Sequence, residues 1–244
     1  MAEWFKDWFA SDFYLSVYTH RNDEDAVNFL NNILKHINIL PKSKVLDAAC
    51  GSGRHSIFMA QHNFEVTAFD LSLPLLKIAK GKGEELGLDI NFFNADMRFV
   101  NLNEKFKLIL NLFTSFGYFD NDTENFAFIR KAYDMLETGG YYIFDYLNEN
   151  FVRNNLISQS EKLVNGINIK EKRKINNNRV IKEITIAEKE FIYNFEESVQ
   201  LYSFNEINTH FNEIGFKTIN IFGNYNCDDF SSENSERLII IFQK

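Results

Sequence analysis

Short apolar runs recur along the 244 residues, and each is followed by a stretch with helical periodicity. Val45–Ala48, Glu65–Asp70, Asp89–Phe93, Phe106–Leu110 and Tyr141–Asp145 read as strands. They are near-continuous apolar runs bounded by turn residues, the pattern of strands buried on both faces. Helices are predicted between them. One covers Arg54–Gln61. A second is capped by Ser72, carries Pro74 in its first turn, and runs to Leu86 before Gly87. A third spans Thr123–Glu137, with Phe126, Ile129, Tyr133 and Leu136 on its buried stripe and Gly139-Gly140 as its stop. Before the first strand, Val27, Leu30, Ile33, Leu34 and Ile37 form the stripe of a helix capped by Asn22 and ending ahead of Pro41. Alternating strands and helices, with helices on both faces, predict a mostly parallel, doubly wound sheet whose ligand lies at the carboxyl ends of the strands.

The pattern changes over residues 160–203. Asn168–Arg173, Val180–Ile186 and Ile192–Tyr202 alternate with a period of two around the Asn-rich turn 176–178, which predicts a three-stranded antiparallel meander. A helix over Asn205–Ile214 and strands over Phe216–Phe222 and Arg237–Phe242 close the chain. Residues 160–203 are thus expected as an antiparallel β insertion after strand five, capping the ligand side of a domain made of 41–159 and 204–244.

Polar residues stand where the strands stop. Asp47 ends the first strand, ahead of Gly51-Ser52-Gly53 and a helix. Glycines let a ligand approach the main chain, and the free N–H groups of the helix start point toward it. An acid four residues before the first glycine repels a pyrophosphate and suits a ligand carrying positive charge. Asp70 ends the second strand, where a carboxylate accepts both ribose hydroxyls of a nucleoside lying across the strand ends. Asp96 follows the third.

The run Asp47-Ala48-Ala49-Cys50-Gly51-Ser52-Gly53 resembles motif I of the class I S-adenosylmethionine (SAM)-dependent methyltransferases. That resemblance implies an α/β, Rossmann-like fold with a doubly wound, mostly parallel seven-stranded sheet, and SAM as cofactor. It places Asp47, Ala49, Gly51, Gly53 and His55 around the cofactor, with Asp70 on the ribose and Leu71 near the adenine. Asp96 and Met97 match the residues that take the adenine amino group and wall the ring. Asn111 and Leu112 sit at the motif IV position, where many members carry Asp; Asn111 is a departure that removes one possible base. Ser115–Tyr118 resembles a subset acting on small molecules, so Tyr118, with Tyr146 and Asn148 after strand five, is expected at the acceptor.

The N-terminal aromatics Trp4, Trp8, Phe9, Phe13, Tyr14 and Tyr18 recur at spacings near one helical face. Either they pack as an ordinary helix, or residues 1–40 hold a lid that closes over the cofactor with Tyr14, Tyr18 and Arg21 in contact with it. The lid is the expectation, because tyrosines occupy the end nearest His20 and Arg21.

Composition narrows the functions. The formal charge is −8 with no long basic run, so no nucleic-acid partner is expected. Two cysteines, Cys50 and Cys227, make neither a disulfide framework nor a metal site. No signal peptide or membrane span is expected, so the chain reads as cytoplasmic. A dinucleotide oxidoreductase is disfavoured because the third glycine of G-x-G-x-x-G is missing. Methyl transfer needs alignment and water exclusion rather than a triad, so no catalytic residue is assigned; His20 and His210 are only polar candidates. The expected function is methyl transfer to a small molecule. A non-catalytic SAM-binding scaffold and a protein methyltransferase remain open, as does the acceptor atom.

Overall fold

The structure is a computed structural model that describes residues 3–18 and 23–244. Its frame is a seven-stranded sheet built from β1 (Lys44–Ala48), β2 (Glu65–Asp70), β3 (Ile90–Asn94), β4 (Phe106–Asn111), β5 (Leu136–Leu147), β10 (Lys217–Phe222) and β11 (Arg237–Gln243). The spatial order is β10-β11-β5-β4-β1-β2-β3. β1 to β5 pair in parallel, and β11 runs antiparallel to both β5 and β10. The order reverses at β1, between β4 and β2, so a crevice opens at the carboxyl ends there.

Both faces of the sheet are covered, as the apolar strands require. α3 (Asp23–Ile33) and α4 (Arg54–Gln61) cover one face, where Phe29, Leu30 and Met59 meet Val45, Leu108, Leu110 and Ile143. α7 (Ala127–Met135) and α9 (Phe204–Ile214) cover the other, where Phe128, Ile129, Ile207 and Phe211 meet Leu46, Ile109, Phe144 and Ile240. α5 (Leu73–Glu85) packs beside β2 and β3. Its N-cap Ser72 accepts the Leu75 N–H at 3.3 Å, and Pro74 occupies the first turn as expected.

Three local expectations change. The helix expected over 123–137 is two pieces, α6 (Asp122–Asn125) and α7, and it stops at Met135. Leu136 already pairs with Phe106, and a register shift carries the pairing on to Leu108 and Tyr141. Gly139 and Gly140 therefore lie inside β5; a Cβ on Gly140 would stand 2.9 Å from Glu137 O and 3.2 Å from Lys107 O. Val27 is 42 % exposed rather than on the buried stripe, and α3 ends at Ile33 before a 3-10 turn, Leu34–His36.

The insertion has four strands, not three: β6 (Gln159–Val164), β7 (Ile167–Asn176), β8 (Arg179–Glu188) and β9 (Phe191–Gln200), paired antiparallel in that order. α8 (Glu149–Asn155) leads into it. Ile169, Ile184 and Ile186 form its buried face against Trp8 and Val17. The N-terminal stripe is two short helices, α1 (Trp4–Ala10) and α2 (Tyr14–Val17). No helix among the described residues is long and apolar enough to cross a membrane.

Candidate SAM and acceptor site

The strand ends assemble one cleft. After β1 the backbone turns through left-handed conformations at Ala49 (φ 58), Gly51 (φ 57) and Gly53 (φ 80), and α4 starts at Arg54. The two glycines do different work. A Cβ on Gly51 would meet nothing within 4 Å, and the residue lines the cleft. A Cβ on Gly53 would stand 2.7 Å from the Ala79 Cβ and 3.2 Å from the Phe92 ring. Gly53 does not line the cleft, and its missing side chain leaves room for α4 to pack against α5 and β3.

Asp47 is 1 % exposed and accepts the Ser56 hydroxyl at 2.5 Å. Burial pushes its carboxyl up to about 6, with the Asp70 charge adding to the effect and the Ser56 hydrogen bond opposing it. Asp70 accepts the Gly51 N–H and the Ser72 N–H, each at 2.8 Å. It holds the glycine turn in place, and each carboxylate oxygen keeps a lone pair for a ligand hydroxyl. Burial raises its pKa too, against those backbone bonds. Asn94 at the end of β3 donates to Asp70 O and Leu71 O at 2.9 and 2.8 Å, which fixes Leu71 in the wall.

Asp96 and Met97 also line the cleft. Asp96 is gripped by Arg98, with Nη2 at 2.6 Å and Nε at 3.1 Å. Burial pushes the Asp96 carboxyl up, but Arg98 more than offsets this and holds it below its ordinary value. Arg98 also pairs with Glu3 at 2.5 Å and Glu124 at 3.0 Å. His55, on the first turn of α4, lies against Phe113 with ring centroids 5.1 Å apart. Its Nε2 is buried without a hydrogen-bond partner, and burial keeps the ring neutral.

The N-terminal helices close this cleft with Phe5, Phe9, Tyr14, Leu15 and Tyr18. Several ties hold them. The Ser72 hydroxyl donates to Phe9 O at 2.6 Å. Trp8 Nε1 donates to Glu197 at 2.6 Å. Tyr18 donates to Glu197 and accepts from Lys182, which itself pairs with Glu197 at 2.6 Å. A second cavity of about 450 Å³ adjoins the cleft, between the N-terminal helices, α8 and the insertion sheet. Phe9, Tyr14, Tyr18, Phe113 and Tyr118 border both spaces.

The structure thus brings together Tyr14, Tyr18, Asp47, Ala49, Gly51, His55, Asp70, Leu71, Asp96, Met97, Leu112 and Tyr118. Four expected residues are placed otherwise. Gly53 does not line the cleft and faces Ala79 and Phe92. Asn111 is 2 % exposed and lies behind the wall. Tyr146 is fully buried, and its hydroxyl donates to Gln200 O, tying β5 to β9. Asn148 is 4 % exposed and spends its amide on Ser232 O at 2.9 Å and Ser235 O at 2.7 Å. Neither Tyr146 nor Asn148 lines the second cavity. Arg21 and His20 lie outside the described residues.

Sequence reasoning missed Lys182 and Glu197, though a signal existed. A period of two from Ile186 and Ile184 puts Lys182 on the inner face, and Glu197 follows Phe195 in the same way. A charge at an inward position announces a partner.

A doubly wound sheet with one antiparallel edge, acids ending three adjacent strands and a glycine turn into a helix define a class I SAM-dependent methyltransferase fold, and SAM is the cofactor of that class. Residues 45–140 match the family described as a methyltransferase domain. A protein of Geobacillus sp. (strain WCH70) named as a methyltransferase is 28% identical over 118 residues, 48% of each chain. The chain spans about half the length of the curated relatives it matches. The crystal structure of a SAM-dependent methyltransferase from Clostridium acetobutylicum superposes with a TM-score of 0.82 at 18% identity, over 95% of both chains. A SAM-bound amino pentose methyltransferase from Micromonospora echinaspora gives 0.70 at 16% identity, over 96% of this chain and 98% of that one.

Proposed function

We propose that the chain binds SAM in the cleft and transfers its methyl group to a small molecule in the adjoining cavity. One observation carries this reading: a cleft walled by three acid-tipped strands opens onto a second cavity across a border of five aromatic side chains, Phe9, Tyr14, Tyr18, Phe113 and Tyr118.

The residues fit the cofactor. Asp70 takes the ribose hydroxyls. Asp96, held by Arg98, faces the adenine edge beside Leu71 and Met97. Asp47 faces the methionine end, where a ligand ammonium relieves the repulsion between two buried acids. The orphaned Nε2 of neutral His55 finds its partner there, and the open space beside Gly51 admits the ligand against the main chain. Bound SAM supplies an electrophilic methyl carbon: the acceptor lone pair forms the new bond as the carbon–sulfur bond breaks, and S-adenosylhomocysteine leaves. The chain's own part is alignment and water exclusion. Phe9, Phe113 and Tyr118 keep the border apolar, and residues 3–18 and 159–200 act as lid and cap. Held geometry of this kind contributes on the order of 7–11 kcal/mol to lowering such a barrier.

A small acceptor is favoured because the cavity lies between the insertion, α8 and the N-terminal helices, and its cations are engaged internally, as in Arg237–Asp145 at 2.7 Å. One of the similar structures is titled an amino pentose methyltransferase. The test is methyl-labelled SAM incubated with a panel of amines, amino sugars and phenols beside a protein extract. Label in a small-molecule product supports the reading. Label in protein alone, or in nothing, overturns it.

A further inference from the structure

The loop after β4, residues 113–119, forms the border between the two cavities, and its backbone is not self-supporting. Phe113 (φ 56), Thr114 (φ 64) and Gly117 (φ 87) are left-handed. Non-glycine residues keep such conformations only where the surroundings over-determine them. The first half is held by the central sheet: Asp145 accepts the Phe113 N–H on its carboxylate at 2.8 Å and the Thr114 N–H on its carbonyl at 3.1 Å. The second half is held at Phe119 by Asn125 of α6, which accepts its N–H at 3.0 Å and donates to its carbonyl at 3.1 Å. It is also held from the insertion, where the Gln200 N–H donates to Gly117 O at 2.7 Å. Arg179, at the start of β8 and 6 % exposed, donates Nη2 to Gly117 O at 3.2 Å and to Tyr118 O at 3.1 Å, and Nη1 to Phe119 O at 3.0 Å. Its Nε and Nη2 are fixed to Ser198 Oγ and Ser198 O, both at 2.8 Å.

We propose that Arg179 is a positioning residue for methyl transfer: its guanidinium clamps three consecutive carbonyls and so aims the Tyr118 ring at the border between cofactor and acceptor. This rests on the reading of the second cavity as the acceptor site. A buried cation costs free energy unless every donor is satisfied. Here the planar fork is spent on a loop remote in sequence rather than on a carboxylate at the surface. Lysine cannot reproduce it, because one ammonium does not span three carbonyls. The aimed ring packs on the lid, 5.0 Å from Trp4 and 5.7 Å from Phe9 between centroids. The same strand carries Lys182, which ties the lid through Tyr18 and Glu197. β8 thus sets both the border and its closure.

The test compares the full chain with Arg179→Gln and Arg179→Lys in three measurements: amide exchange of residues 112–121, SAM affinity, and kcat and KM with the acceptor the labelled-SAM panel yields. Exchange of the loop is expected to rise about tenfold in Arg179→Gln and less in Arg179→Lys, with β1–β4 peptides unchanged. SAM affinity stays within about threefold, because Asp47, Asp70 and Asp96 are untouched. kcat falls about 10²-fold, the scale of a 1 Å misplacement, and Arg179→Lys recovers part of it. Unchanged loop exchange overturns the proposal. So does a SAM affinity that falls by the same factor as kcat, since that marks general structural damage. Should Arg179→Gln fail to fold, Arg179→Lys carries the comparison. If the wild type does not bind SAM, the functional reading fails, and loop exchange alone still decides whether Arg179 holds residues 113–119.

Discussion

Replacing each motif glycine by alanine separates two jobs that the sequence shows as one. Gly51 and Gly53 both adopt left-handed φ, 57 and 80, so each alanine incurs about 1–2 kcal/mol of backbone strain. Each also gains roughly 0.4–1 kcal/mol from a stiffer unfolded chain. These contributions are common to both and cancel in the comparison. What differs is space: at Gly53 the new methyl meets the Ala79 Cβ at 2.7 Å and the Ala79 Cα at 3.3 Å, backbone that cannot swing aside. Overpacking of this kind costs about 1–3 kcal/mol. Gly53→Ala is therefore expected to be less stable than Gly51→Ala by about 1–3 kcal/mol in urea unfolding. Gly51→Ala in turn puts its methyl into the cleft and weakens SAM binding more than it lowers stability. Equal stabilities, or a less stable Gly51→Ala, would refute the reasoning.

Three further outcomes follow from the site. Burial holds Asp47 at about 6 against its ordinary 3.8, so the unbound fold keeps a proton that the unfolded chain has lost. Its stability falls as pH rises from about 4 to 6, by at most roughly 3 kcal/mol at 1.36 kcal/mol per pH unit. SAM affinity rises over the same window as the carboxylate ionises; a flat calorimetric profile from pH 5 to 7 would count against Asp47 as the partner of the ligand's cationic end. Tyr18→Phe removes contacts to Glu197 and Lys182, so limited proteolysis of the N-terminal helices should quicken and SAM should protect them less than in the wild type. Equal protection with and without SAM in both proteins leaves packing as their only role. Tyr146→Phe strips a partner from the Gln200 carbonyl and should cost about 1–3 kcal/mol in thermal unfolding with SAM affinity unchanged; a lost affinity would return Tyr146 to the site.

The parallel core was readable because its strands are apolar on both faces, and the acids Asp47, Asp70 and Asp96 stood out at the ends of three successive strands. The helix over 123–137 was misjudged because Leu136 continues its apolar spacing equally well into β5; the deciding partner, Phe106, is 30 residues away in the chain. Tyr146 and Asn148 were correctly put at the end of β5, but Gln200 and the loop at 231–235 claim their polar atoms, and both are long-range contacts that no local pattern reports. Asp145 shows the converse. It ended a strand without a role, and the fold gives it the Phe113 N–H and the Arg237 guanidinium. Lys182 and Glu197 were within reach, since strict alternation along β8 and β9 puts both charges inward.

The central claim is that the acid-tipped cleft is a SAM site. The direct measurement is calorimetric titration of SAM, S-adenosylhomocysteine and NAD into the wild type and Asp70→Ala. The account predicts micromolar binding of SAM and its demethylated product, near −8 kcal/mol, lost in Asp70→Ala and absent for NAD. NAD binding without SAM binding, or SAM binding indifferent to Asp70, would contradict it.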